Sequence, residues 1–207
     1  MTRTRLSIFP LAGALLFPRM HLPLHIFEPR YRAMVTDSLA RDRRIGMIQP
    51  RPVAGGDAND PPGLFTIGCV GRIAEVQALD DGRFDLVLEG LSRFRIVNEL
   101  DVTTAFRQVE ADLIADPKDE ILALAERAAL ELESRRFADA QGYAVDWEAV
   151  TRLDDESLVN GIAQIAPFDP AAKQALLEAN GLSERAELTI QLMQFFSRHD
   201  SDEGTLQ

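Results

Sequence analysis

The sequence predicts an α+β chain, with a β-rich N-terminal half that holds one inserted helix and an all-helical C-terminal half. Three observations predict it. Apolar residues alternate through Phe84, Leu86 and Leu88, the period of two expected of a half-buried strand. Beyond Asp116-Pro117 the apolar period becomes 3.6. The charge changes at the same place: residues 1–115 carry 14 Lys+Arg against 14 Asp+Glu, whereas 116–207 carry 8 against 19, so the second half accounts for the whole formal charge of −11. The expected divisions are 1–115, β-rich; 116–200, helical; and 201–207, a flexible polar tail. Hydrophobic residues at 46% supply enough material for a core, which excludes a disordered chain.

In chain order, Arg5–Phe9 alternates and stops at Pro10, which suits a short strand. Residues 13–27 are apolar but broken by Gly13, Pro18 and Pro23, too punctuated for a long helix. A helix is expected from Pro29, with Tyr31, Met34, Val35, Ser38 and Leu39 as its stripe and Arg41–Arg44 at its C-terminal end. Ile45–Gln49 reads as a strand, followed by a soft loop through Pro50, Gly55, Gly56 and Gly63. Leu64–Leu79 and Arg83–Leu100 read as long strands joined by an Asp80-Asp81-Gly82 hairpin turn, with Gly68, Gly71 and Gly90 marking bulges or barrel corners. Another strand is expected over 105–114.

In the second half, Ile121, Leu124, Ala125, Ala128 and Leu132 form one apolar stripe of a long helix. Asp154-Asp155-Glu156 resembles an acidic helix start, and Asp169-Pro170 an N-cap with Pro at the first helical position. Asn180-Gly181 is expected to end that helix. Ser183 is expected to cap the last one, with Leu188, Leu192 and Phe195 on a shared face.

Few residues are placed for chemistry. No G-x-x-x-x-G-K-[ST] and no G-x-G-x-x-G occurs, so no phosphate cradle is recognisable. The two lysines, Lys118 and Lys173, each stand at an expected helix start, where a solvated ammonium cannot act as a base. His21 and His25, with Glu28 beyond them, would face one metal only on a helix, and Pro23 between them argues for extended chain. Cys69 sits in an apolar strand with nothing electropositive nearby and reads as buried and inert. No catalytic, cofactor or metal residue is therefore assigned. The basic start followed by Leu6–Phe17 imitates a signal peptide, but Pro10 and Pro18 interrupt it and no small-x-small site follows. A cytoplasmic protein is expected, since no apolar run approaches the ~20 residues that span a membrane and the single cysteine fits a reducing compartment. The dense apolar run left over supplies the candidate binding residues Leu15, Phe17, Met20, Leu22, Leu24 and Phe27, part core and part exposed patch.

Several segments then resemble one known family in the right order. Ile8-Phe9-Pro10-Leu11, Leu15-Leu16-Phe17-Pro18 and Leu22-Pro23-Leu24-His25-Ile26-Phe27-Glu28-Pro29-Arg30-Tyr31-Arg32 resemble the opening of the Lon protease N-terminal domain. Residues 67–73 and 88–96 look like its two central strands, and 155–196 resemble its helical part more loosely. The resemblance implies a pseudobarrel of the PUA-like kind, followed by a helical bundle, in a stand-alone form without the ATPase and Ser–Lys protease modules. It further implies a non-catalytic polypeptide-recognition module, an adaptor or regulator in protein quality control. Its partners would be unfolded or partner polypeptides, with a homodimer left open, no membrane, and nucleic acid disfavoured by the acidic half. Two other readings stand beside it: an RNA-binding PUA-like domain, and a hydrolase that inherits that activity only by name.

Overall fold

The computed structural model describes residues 2–51, 63–117 and 120–203. Most of the expected soft loop after Pro50, together with Lys118 and residues 204–207, lies outside the described residues. The chain divides into two compact units, Met1–Asp116 and Pro117–Gln207.

The first unit is built from β1 (Thr2–Pro10), β2 (His21–Ile26), α1 (Pro29–Leu39), β3 (Arg44–Ile48), β4 (Ile67–Ala78), β5 (Phe84–Glu99) and β6 (Gln108–Leu113). Its sheet runs β2-β5-β4-β3-β1-β6, and a further β5–β6 pairing closes five of the six strands on themselves. That leaves β2 outside the closed ring, and among the described strands it pairs only with β5. β1 and β3 run parallel and all other pairs antiparallel. Sixteen-residue β5 serves three neighbours because its two halves go to different partners: Phe84–Glu89 lies against β2, and Phe94–Glu99 against β6. The change comes at a bulge, where Gly71 faces Gly90 and Val70 faces Ser92, leaving Leu91 unmatched. Gly90 is required there, because a Cβ would fall 2.0 Å from the main-chain oxygen of Phe17. Leu6, Ile8, Ile48, Val70, Phe94, Val109 and Ala111 fill the ring. At the β4–β5 turn Gly82 takes φ +78°, and the Leu79 N–H donates to Arg83 O at 2.9 Å. Arg93 is buried at the ring and forms a two-pronged ion pair with Asp116, its Nε 3.0 Å from Oδ2.

The second unit contains α2 (Leu124–Gln141), α3 (Trp147–Thr151), α4 (Asp155–Ile165), α5 (Pro170–Glu178) and α6 (Leu182–Glu203), with α6 packed against α2, α4 and α5. Asp146, Asp154 and Asp169 each accept a main-chain N–H from the first turn of α3, α4 and α5. The centre of the unit is partly polar. Buried Arg185 donates through Nη1 to Asn160 Oδ1 at 2.8 Å and through Nε to Leu176 O at 2.9 Å.

Several local expectations need correction. The α2 stripe faces outward: Ile121, Leu124 and Leu132 are exposed by 78, 87 and 52%, and the buried face is instead Leu130, Glu133, Ser134, Phe137 and Ala138. Glu133 and Ser134 sit on the inner side, so hydrophobicity points the wrong way. On α6, Leu182, Arg185, Ala186, Thr189 and Met193 are buried while Phe195 is 53% exposed, so the inward face also differs from the expected one. Ser183 lies inside the first turn of α6, and its Oγ donates to Glu126 at 3.4 Å. The Arg41–Arg44 cluster falls after α1, whose cap is Ala40, and Arg44 opens β3. Residues 201–203, expected as tail, continue α6.

Candidate functional site

The punctuated segment after β1 is not an open loop. Gln49, at the end of β3 and only 4% exposed, accepts the Gly13 N–H through Oε1 at 3.1 Å and donates through Nε2 to Leu11 O and Ala14 O at 2.9 and 3.1 Å. Further along, Met20 N–H donates to Phe17 O at 3.2 Å, while Arg19 N–H reaches Gly90 O and Gly90 N–H reaches Met20 O, both at 2.8 Å. With its main chain satisfied inside the protein, the segment can be buried. Leu15, Leu16 and Phe17 are accordingly 6, 1 and 0% exposed. Two of the six expected contact residues, Leu15 and Phe17, are therefore core. The rule that irregular backbone stays near water fails here because one glutamine side chain takes the place of water.

The remaining four lie on or beside β2. Met20, Leu22 and Leu24 are half-buried, whereas Phe27, just past the strand, is 60% exposed. Alternation along the strand separates them. Leu22 and Leu24 share a face with buried Ile26, and Phe27 stacks on His25, from the opposite face, with ring centroids 6.3 Å apart. The structure does not bring the six residues together as one patch.

What it does create is a sheet edge at β2 that no second strand among the described residues extends. Pro23 has no N–H, so its pairing with Val87 must be a non-hydrogen-bonded one. The main chain of Pro23 and His25 thus turns away from β5. Across β2, β5 and β4 runs a groove of about 410 Å³, lined by Pro23, Leu24, Val76 and Val87 together with Glu75, Gln77 and Asp85. The polar contacts of lining residue Asp85 were not visible in the sequence: the β2–β5 pairing brings Asp85 opposite His25, whose Nδ1 lies 2.6 Å from Oδ1, and Arg83 Nη1 sits 3.2 Å from His25 Nε2. Nothing near His25 in the chain signals this pairing. It depends on the register of residues sixty positions apart.

The other candidates for chemistry are placed as follows. His21 and His25 lie on one face of a strand, four residues apart, and Glu28 pairs with Arg30 at 2.9 Å. No group of three or more His, Cys, Asp or Glu suited to a metal ion occurs among the described residues. Cys69 is fully buried. Lys173 is not solvated, contrary to expectation: it is partly buried, its Nζ donates to Gln164 O at 2.6 Å, and burial pushes its pKa below the ordinary lysine value. Its hydrogen bond goes to a carbonyl, which cannot be activated as a nucleophile. Among the described residues no helix is long and apolar enough to cross a membrane.

Comparisons with known proteins identify the family and the fold. The profile of the ATP-dependent protease La (Lon) substrate-binding domain matches residues 5–194. This chain belongs to that family. It is 26% identical to the Lon protease of Escherichia coli K12 over 204 residues, covering 93% of this chain and 25% of that protein. It is 28% identical to Lon protease 2 of Myxococcus xanthus, over 91% of this chain and 23% of that protein. The chain thus spans about a quarter of the curated relatives it matches. Among solved structures, the Lon N-terminal domain protein of Xanthomonas campestris superposes with a TM-score of 0.68 at 21% identity, covering 92% of this chain and 98% of that one. The N-terminal domain of Mycobacterium avium complex Lon protease gives 0.66 at 18% identity, with the same coverages. Both share the α+β architecture, a β-rich sheet followed by helices.

Proposed function

We propose that this chain is a non-catalytic polypeptide-recognition module, an adaptor or regulator in cytoplasmic protein quality control, and that it holds unfolded segments at the open β2 edge. The carrying observation is Phe27: an aromatic ring 60% exposed and stacked on His25, which shares its strand face with groove-lining Pro23. Large exposed aromatics next to concave apolar surface are where binding energy concentrates in protein interfaces. Met20, Leu22 and Leu24 contribute their half-exposed margins. Membership of the substrate-binding family supports the reading. So does the lack of a nucleotide cradle in the sequence and the engagement of Lys173 with a carbonyl.

Titration of the full chain against a fluorescently labelled, permanently unfolded model protein tests it. Saturable binding that persists in high salt is expected, because the contacts are apolar. Phe27→Ser should weaken it roughly tenfold, about 1.4 kcal/mol. Flat isotherms with several unfolded chains, or cleavage of the labelled protein by repurified material, would sink the proposal.

A further inference from the structure

The helical unit carries a second concave surface of a different character. A cavity of about 550 Å³ lies among α2, α3, α4 and α6, walled by Phe137, Trp147, Leu158, Ile162 and Met193. Its lining also includes Tyr143, Leu153 and Ile165, which are exposed by 50, 41 and 82%. Binding sites for compact ligands or several anchoring side chains fall in this size range.

Charge and backbone together restrict the occupant. Next in sequence to lining residues stand Asp139, Asp146, Glu148 and Asp154, all exposed. The three arginines next in sequence to lining residues are already engaged: Arg135 stacks over the Trp147 ring, 4.4 Å from its centroid, Arg136 pairs with Glu133 at 3.6 Å, and Arg152 pairs with Glu148 at 3.5 Å. The surrounding half of the chain carries 19 acidic against 8 basic residues. An anionic lipid or a second copy of this −11 chain would meet repulsion there, and a cation would be drawn in. Ten of the sixteen lining residues stand in α2, α3, α4 and α6, whose backbone groups bond within each helix, and the rest, residues 142–145, Leu153 and Ala166, are in no strand that could offer a ladder. A helix brings its own backbone already satisfied and presents apolar anchors at i, i+3, i+4 and i+7 on one face.

We infer that this cavity is a docking site for a cationic amphipathic helix, its apolar face seated against Trp147 and Ile165 and its basic flanks drawn by the acidic residues that adjoin the lining in sequence. The inference rests on the polypeptide-recognition reading and adds a ligand of other chemistry, recognised away from Phe27.

Trp147 is the only tryptophan of the chain, so its emission reports on this cavity alone. The full chain is titrated with a Leu/Lys amphipathic helical peptide and with a Leu/Glu peptide of the same apolar face. The Leu/Lys peptide is expected to give a saturable blue shift that weakens roughly tenfold as salt is raised through the physiological range. The Leu/Glu peptide is expected to give none. Ile165→Lys, at a position too exposed to disturb folding, should weaken Leu/Lys binding roughly tenfold, about 1.4 kcal/mol. Phe27→Ser should leave it unchanged while weakening capture of the unfolded chain. Equal shifts with both peptides would overturn the inference. So would a shift with oleate in place of the peptide, a shift on concentrating the protein alone, or no shift at all. Failure of unfolded-chain binding with the Leu/Lys shift intact would refute the β2 reading and spare this one.

Discussion

At the residue scale the side chain that most shapes the first unit is Gln49. Its amide satisfies one N–H and two carbonyls of the segment that buries Leu15, Leu16 and Phe17. Gln49→Leu keeps much of the bulk but orphans all three groups, each costing about 1 kcal/mol or more. A loss of about 3 kcal/mol is expected, read as a lower denaturant midpoint at an unchanged slope. A change under about 1 kcal/mol would mean that the segment finds other partners or water. Glu99 offers a pH test. Arg107 donates to both of its carboxylate oxygens at 2.6 Å, and that hydrogen bonding holds the carboxyl below the ordinary glutamate value. A carboxylate with a depressed folded pKa stabilises the fold above its unfolded pKa, and that contribution is lost as the pH falls through the folded one. Glu99→Gln should therefore lower stability near neutrality and have little effect in strong acid. Solvent screening keeps the difference small, since the Glu99 side chain is 44% exposed. Parallel stability–pH curves for the two proteins would count against the pairing.

At the element scale β2 is governed by one proline. An edge strand invites pairing with another chain, and a proline whose missing N–H faces outward interrupts the row of donors. Pro23→Val would restore a donor at the centre of the edge. Concentration-dependent self-association is expected, visible as a rising sedimentation coefficient, and a monomer at all concentrations would show that the edge is protected in another way. The same strand marks how far the sequence could be read. The β1, β3, β4, β5 and β6 segments, the Gly82 turn and α1 follow from alternation, glycine and proline, which act locally. β2 was read as extended chain over residues 21–25 but not as a paired strand, because Pro18 and Pro23 read as loop punctuation, while Pro23 is tolerated on an edge that only long-range pairing creates. The helix faces failed for a related reason. Glu133, Ser134, Arg185 and Thr189 turn inward, so apolar periodicity alone could not choose the buried side. Of the candidate site, Phe27 was legible as an apolar residue beyond a break, but His25, on which it stacks, meets Asp85 and Arg83 only through strand register.

On the scale of the whole molecule, charge separates polypeptide recognition from the RNA-binding reading. A protein that tracks a phosphate backbone gains affinity by releasing counterions, which takes cations presented on one face. In the balanced half many arginines are already committed within the unit: Arg3 to Asp112, Arg41 to Asp37, Arg72 to Glu89, Arg83 to Asp81, Arg93 to Asp116 and Arg107 to Glu99. Each pair would have to break, or share its arginine, before a phosphate gained a contact. The other half, with 19 acidic residues against 8 basic, repels a polyanion outright. Single-stranded and hairpin RNA should therefore give no saturable mobility shift even at low salt, where electrostatic binding is strongest. The unfolded chain and the Leu/Lys peptide should bind under the same conditions. If RNA binds, and log affinity falls steeply and linearly with log salt, several phosphates are being contacted and the RNA reading replaces the polypeptide one. If RNA and the unfolded chain compete, the β2 groove serves both, and Phe27→Ser should weaken the two together.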